Sequence, residues 1–209
     1  MSAAPYPVCE PVTGDVGEDV RGTKRQRRTT DGDASSETAK QIISPKAATT
    51  MTEEEVLECQ EKWAAAIKTI SKTCLDKGDY VQAAADAAAE LYGYGHSNVL
   101  FKPTKASEFP FRPTGAEAMS YFVGGDAVEG GYAEDSGFAI NGGKGWSDVV
   151  FTNHGIELLG TAAIAMGSYV FTCATTGDKT KVEYTFGYKR NDDGKPRIFL
   201  HHSSVPYKP

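Results

Sequence analysis

Two kinds of hydrophobic spacing, kept to separate halves of the chain, limit the folds it can adopt. Val56, Cys59, Trp63, Ile67, Ile70 and Cys74 recur at steps of three and four, the repeat of one helix face. After Gly124 that repeat gives way to alternating segments rich in β-branched and aromatic residues. Helices first and strands after imply an α+β domain.

The helical part is well punctuated. Thr52-Glu53-Glu54-Glu55 reads as a capping box, with Thr52 as N-cap. Gly78-Asp79 ends the first helix, and an Ala-rich second helix runs from Tyr80 to about Tyr92. Val99–Thr104 reads as a short strand stopped by Pro103. A third helix spans Thr114–Val123, with Thr114 and Glu117 again at capping-box spacing. Strands are then expected over 148–153, 155–166, 167–175, 181–189 and 197–202. Gly177-Asp178 and Asp192-Asp193-Gly194 supply turns. Consecutive hairpins give an antiparallel meander, and a curved antiparallel sheet wrapped around the N-terminal helices leaves a cone-shaped pocket. Val150, Tyr169, Phe171, Tyr184 and Phe186 are expected on the sheet's other face, as the surface of a homodimer.

The chain has 209 residues, enough for one domain at 51–209 and a polar tail at 1–50, read as disordered, that contains almost no large apolar residues. Within the tail, Lys24-Arg25-Gln26-Arg27-Arg28 is a basic cluster, read as a solvated charge run, with nuclear import or anion binding as the functional alternative. The formal net charge of −6 argues against a general nucleic-acid partner. No apolar run approaches the roughly 18 residues of a membrane span, and no secretory leader is read at the N-terminus. Cys9, Cys59, Cys74 and Cys173 show no CxxC spacing, which fits a reducing compartment. An intracellular, cytoplasmic setting is expected, with plastid or nucleus as alternatives.

The chemistry-bearing residues are few. Asn141-Gly142-Gly143-Lys144-Gly145 matches neither a Walker A loop nor a dinucleotide fingerprint. There is no GxSxG elbow. The histidines His96, His154, His201 and His202 lack zinc spacing, because adjacent residues on a strand point to opposite faces. The run Arg197-Ile198-Phe199-Leu200-His201-His202-Ser203-Ser204 is the most pointed feature. Strict alternation groups His202 and Ser204 with apolar Ile198 and Leu200, so these two are expected to face inward. His201 and Ser203 then face outward. Thr104 at a strand exit and Tyr121 on the third helix supply further hydroxyls.

Taken in order, the Trp63 helix, Gly78-Asp79, Leu91-Tyr92, Leu100-Phe101-Lys102-Pro103-Thr104, Tyr121-Phe122, Tyr184-Thr185-Phe186 and His201-His202-Ser203-Ser204 resemble the iota class of carbonic anhydrases, found in diatoms, other algae and some bacteria. The resemblance covers about residues 52–207. It implies a nuclear-transport-factor-2-like (NTF2-like) cone, similar to the association domain of calcium/calmodulin-dependent kinase II, and reversible hydration of carbon dioxide to bicarbonate. It also implies that Thr104, Tyr121 and one of Ser203 or Ser204 hold water or bicarbonate. No cofactor is expected, with manganese or zinc as the alternatives. Pro196 is a departure, where related domains often carry Trp. Hydroxyl donors around a small apolar cavity suit a planar anion, and an imidazole from His201 or His202 at its mouth would pass protons to solvent.

Two rival readings share the fold. An isomerase would need a carboxylate base in a partly dry pocket, for which Asp126, Glu129, Glu134 and Asp135 are the candidates. A non-catalytic association module would show a sealed cone. Fold alone does not choose among the three.

Overall fold

The computed structural model describes residues 50–209. The expectations for the 1–50 tail, Cys9 and the Lys24–Arg28 cluster fall outside the described residues. Helix α1 covers Glu53–Leu75, and Thr52 caps it in a reciprocal box with Glu55. Helix α2 (Tyr80–Leu91) follows, capped by Asp79. Strand β1 is Leu100–Lys102. Helix α3 (Gly115–Val123) starts on a second capping box, Thr114 with Glu117. The remaining strands are β2 (Trp146–Leu159), β3 (Ala162–Cys173), β4 (Lys179–Arg190) and β5 (Pro196–Ser204). No helix among the described residues is long and apolar enough to cross a membrane.

The five strands form one sheet in the order β1-β5-β4-β3-β2. Strands β2 to β5 pair antiparallel, as the meander predicts. β1 corrects the expectation of a wholly antiparallel sheet: it pairs parallel to β5. Three residues on the far side of the chain from β5 carry no local signal of direction. The segments expected at 155–166 and 167–175 are also corrected, since β2 and β3 meet at Gly160-Thr161, with Gly160 at φ +66. Only a residue without a Cβ enters that region freely.

Helix α1 lies across the concave face. The Trp63 indole sits 5.6–6.2 Å from the rings of Phe151, Tyr169, Phe171 and Phe186 and 5.8 Å from His201, so one side chain ties together β2, β3, β4 and β5. The inward side chains of β4, Val182, Tyr184, Phe186 and Tyr188, are all buried. On β3, Tyr169 and Phe171 are 1% and 0% exposed. The outer surface expected from Tyr169, Phe171, Tyr184 and Phe186 is therefore corrected. Their period-two spacing places them in the core, and of the five only Val150 stands exposed on the outer face.

Candidate active site

The terminal strand does not keep strict alternation. Gly187 pairs with Leu200 and Tyr188 with Ile198, leaving Phe199 as an extra residue. Such a bulge shifts the parity of everything after it. Gly187 makes room for it, because a Cβ there would lie 2.8 Å from the Phe199 ring and 2.9 Å from Leu200. Ile198, His201 and Ser203 consequently share the buried face, at 1%, 2% and 3% exposure. His202 is exposed and Ser204 half-buried. The inward orientation expected for His202 and Ser204 is thus reversed. Those two line a hollow of about 690 Å³ on the outer face, beside His154, Lys181 and Glu183. The hydroxyls of Thr104, Tyr121 and Ser203 do not line this hollow.

His201 is enclosed by rings. Phe101, its register partner on β1, stacks on it at 4.7 Å, and Phe186 meets it edge-on at 4.1 Å. Burial drives its pKa well below the usual imidazole value, and neighbouring His202 adds to the shift. Its Nδ1 lies 2.8 Å from the Tyr92 hydroxyl, which accepts a 3.0 Å hydrogen bond from Trp63 Nε1. Its Nε2 lies 3.1 Å from Ser203 Oγ and 3.4 Å from the Tyr169 hydroxyl. The proton exchanger expected at the mouth is therefore split. The imidazole that reaches the hydroxyls is sealed from solvent, and the one that meets solvent faces away from them.

Tyr121 supplies the second group. Its ring stacks on Phe138 at 5.4 Å and meets Phe101 edge-on at 5.8 Å. The side chain is buried, and its hydroxyl has no hydrogen-bond partner of normal geometry. The Lys105 amide and the Thr104 hydroxyl and amide face it. They partly offset the burial that pushes its pKa up to about 12. Thr104 and Tyr121 are thus brought together. Tyr169 lies close enough to feel charge on Tyr121, and Phe101 touches both Tyr121 and His201. Tyr121 also borders a polar depression of about 290 Å³ with Lys105, Asp135 and Lys144.

The loop carrying Thr104 is pinned from below. Arg112 is wholly buried, 2.8 Å from Asp135 and 4.5 Å over the Tyr132 ring. Glu134 accepts hydrogen bonds from the amides of Ser107, Glu108 and Phe109, which hold its carboxyl down to about 2. Asp135 is buried near Tyr121, but one oxygen takes Arg112 and the other Ser120 at 2.6 Å. Asp126 and Glu129 are exposed. The isomerase reading needs a free interior carboxylate, and none of its four candidates is one. Among the described residues no group of three or more His, Cys, Asp or Glu could hold a metal ion.

Sequence reasoning missed Tyr92, Tyr169 and the orientation of β5. Alternation of Ala163, Ala165, Tyr169 and Phe171 was the readable signal for Tyr169. The bulge at Phe199 has no comparable signal beyond Gly187 on the partner strand.

A curved sheet capped by helices, with hydroxyls gathered in an aromatic interior, is suited to holding a small polar molecule by donated hydrogen bonds. The family model described as metal-independent carbonic anhydrase matches residues 54–205. A metal-independent carbonic anhydrase of Nostoc sp. (strain PCC 7120) is 42% identical over 164 residues, covering 76% of this chain and 75% of the relative. The crystal structure of a cyanobacterial iota-carbonic anhydrase complexed with bicarbonate superposes with a TM-score of 0.71 at 37% identity, over 80% of this chain and all of that one. An NTF2-like protein from Cytophaga hutchinsonii aligns with a TM-score of 0.45 at 14% identity, over 75% of this chain and all of that one. The chain belongs to the metal-independent carbonic anhydrase family. Its reaction is the reversible hydration of carbon dioxide to bicarbonate, without a metal cofactor.

Proposed function

We propose that this chain is an iota-class carbonic anhydrase in which the hydroxyls of Thr104, Tyr121 and Ser203 hold the hydrating water and the bicarbonate product. The observation that carries this reading is the Tyr121 hydroxyl, buried without a partner beside the Thr104 hydroxyl and two backbone amides. An unsatisfied buried donor costs about 1–3 kcal/mol, and a small oxyanion seated there would satisfy it. Donors fixed in a water-poor site stabilise the charge that grows on oxygen as carbon dioxide is hydrated. The bicarbonate complex of the cyanobacterial structure supports the same ligand here.

Stopped-flow hydration of carbon dioxide, on protein dialysed against chelator, tests the reading. Thr104→Val, Tyr121→Phe and Ser203→Ala should each lose roughly 100- to 1000-fold in rate, while Ser204→Ala stays at the wild-type rate. Full activity in all of the first three would refute the site.

The same proposal includes a homodimer and an intracellular setting. Val150 and Met166, 52% and 53% exposed on the outer sheet face, support the first. The free thiols of Cys59, Cys74 and Cys173 support the second. Light scattering at micromolar concentration and subcellular fractionation test them in turn. A monomer, or a secreted protein, would overturn the respective part.

A further inference from the structure

The hydrogen bonds behind Ser203 have a direction, and the direction is fixed far from the hydroxyl cluster. Trp63 Nε1 can only donate, and it donates to the Tyr92 hydroxyl oxygen at 3.0 Å. Tyr92 is 2% exposed, and the one other polar atom it bonds is His201 Nδ1 at 2.8 Å. If Nδ1 carried the proton, the Tyr92 oxygen would accept twice and its own proton would be stranded in an aromatic core. Buried donors are rarely left so. Tyr92 therefore donates to Nδ1, and the proton of the neutral imidazole sits on Nε2.

The consequence passes to Ser203. Nε2–H points at Ser203 Oγ, 3.1 Å away, in preference to the Tyr169 oxygen at 3.4 Å. Ser203 also stands beside the Tyr169 hydroxyl, and Tyr169 is 1% exposed. With Nε2–H occupying an Oγ lone pair, the Ser203 proton cannot go to the imidazole and is left for another acceptor, the Tyr169 oxygen or a bound ligand.

We propose that Trp63 and Tyr92 are positioning residues that lock the tautomer of His201 and thereby turn the Ser203 proton away from the imidazole and toward the bound oxyanion. His201 relays orientation; it does not carry a proton out of the site. A donor of fixed sense favours an anionic or carbonyl oxygen over a neutral hydroxyl that also needs an acceptor. This inference rests on the placement of bicarbonate at Ser203 made above.

Long-range proton–nitrogen correlation on protein labelled with ¹⁵N-histidine reads the tautomer directly and needs no mutation. The expected spectrum has a pyridine-type Nδ1 and a pyrrole-type Nε2 for His201, unchanged from pH 6 to 8. A protonated Nδ1, or an imidazolium in that range, overturns the proposal. Tyr92→Phe should convert the signal to a mixture or to the opposite tautomer and lower kcat roughly tenfold with little change in KM. If it does not fold, the wild-type spectrum still decides. Ser203→Ala separates the two layers. A fallen rate with the tautomer intact supports both. An unchanged rate with the tautomer intact overturns the bicarbonate placement, and with it the purpose assigned to the relay, while leaving the hydrogen-bond order standing.

Discussion

Three buried tyrosines allow one chemical change, Tyr→Phe, to be made where its consequences should differ. At Tyr121 the hydroxyl has no protein partner of normal geometry. Removing it breaks no internal hydrogen bond of normal geometry and relieves an unsatisfied buried donor, so the variant should be at least as stable as wild type, by up to about 1–3 kcal/mol. The hydration rate should still fall roughly 100- to 1000-fold, because one oriented donor is worth about 2.7–4 kcal/mol in a transition state. At Tyr92 the hydroxyl joins Trp63 Nε1 to His201 Nδ1. Phe there leaves two buried polar atoms unpaired, at about 1–3 kcal/mol each. The loss of about 2–6 kcal/mol would lower the melting point of a domain this size by on the order of 10 °C. At Tyr188, wholly buried and also without a partner of normal geometry, stability should rise in the same way while the rate stays at the wild-type value. Urea unfolding and stopped-flow hydration on the three variants read both quantities. If Tyr121→Phe destabilises the fold as much as Tyr92→Phe, the Tyr121 hydroxyl is structural and the reasoning fails. If it keeps the wild-type rate, the hydroxyl is not a donor to the reacting oxygen.

Acid should destabilise the fold before its carboxylates titrate. The unfolded imidazole of His201 takes up a proton near pH 6.5, which the buried one refuses. Stability from this group is therefore present above pH 6.5 and lost as pH falls, by up to about 1.6 kcal/mol between 6.5 and 5. A urea midpoint that stays flat over that interval would contradict the burial. Arg112→Gln leaves Asp135 buried without its 2.8 Å partner and should cost about 3–5 kcal/mol, while exposing the 105–113 loop to protease. An unfolding midpoint within about 1 kcal/mol of wild type would show that the pair does not anchor the loop.

Where local chemistry decides, the chain could be read directly. Thr52 with Glu55 and Thr114 with Glu117 marked two helix starts that the structure reproduces as reciprocal capping boxes. The spacing of Val56, Cys59, Trp63, Ile67 and Ile70 gave the buried face of α1. Where a decision depends on a distant segment, it could not. The direction of β1 is set by β5, about 100 residues later. The β5 bulge depends on Gly187 of β4 making space for Phe199, and strict alternation, followed past that point, put the wrong histidine and the wrong serine inside. The placing of Tyr169, Tyr184 and Phe186 on an outer face was a different kind of error. Their alternation with Ser168, Glu183 and Thr185 already separated an apolar face from a polar one. The site residues suffered from the same nonlocality. Thr104 and Tyr121 lie on a loop and a helix whose closeness depends on Arg112, Glu134 and Asp135, acidic and basic residues that look like ordinary surface charge in a Gly-rich stretch.

The interior chemistry narrows how a metal-free site of this kind can work. Tyr121, at about 12, is ionised in roughly one molecule in 100,000 at pH 7, and His201 stays neutral, with its Nδ1 lone pair engaged by Tyr92 in the proposed tautomer. Asp135 has both oxygens taken. None of these groups is a ready general base for the attacking water, so in the proposed site the rate comes from donors that stabilise the nascent bicarbonate. Two such donors, at about 2.7–4 kcal/mol each, cover about 5–8 kcal/mol, or roughly four to six powers of ten in rate. That is enough to carry the reaction without a metal, provided the donors are held rigidly. In the proposed site, the aromatic packing around Phe101, the Arg112 anchor and the Trp63–Tyr92–His201 relay all serve catalysis, because each fixes the position or sense of a hydroxyl that would be far less effective if free to turn.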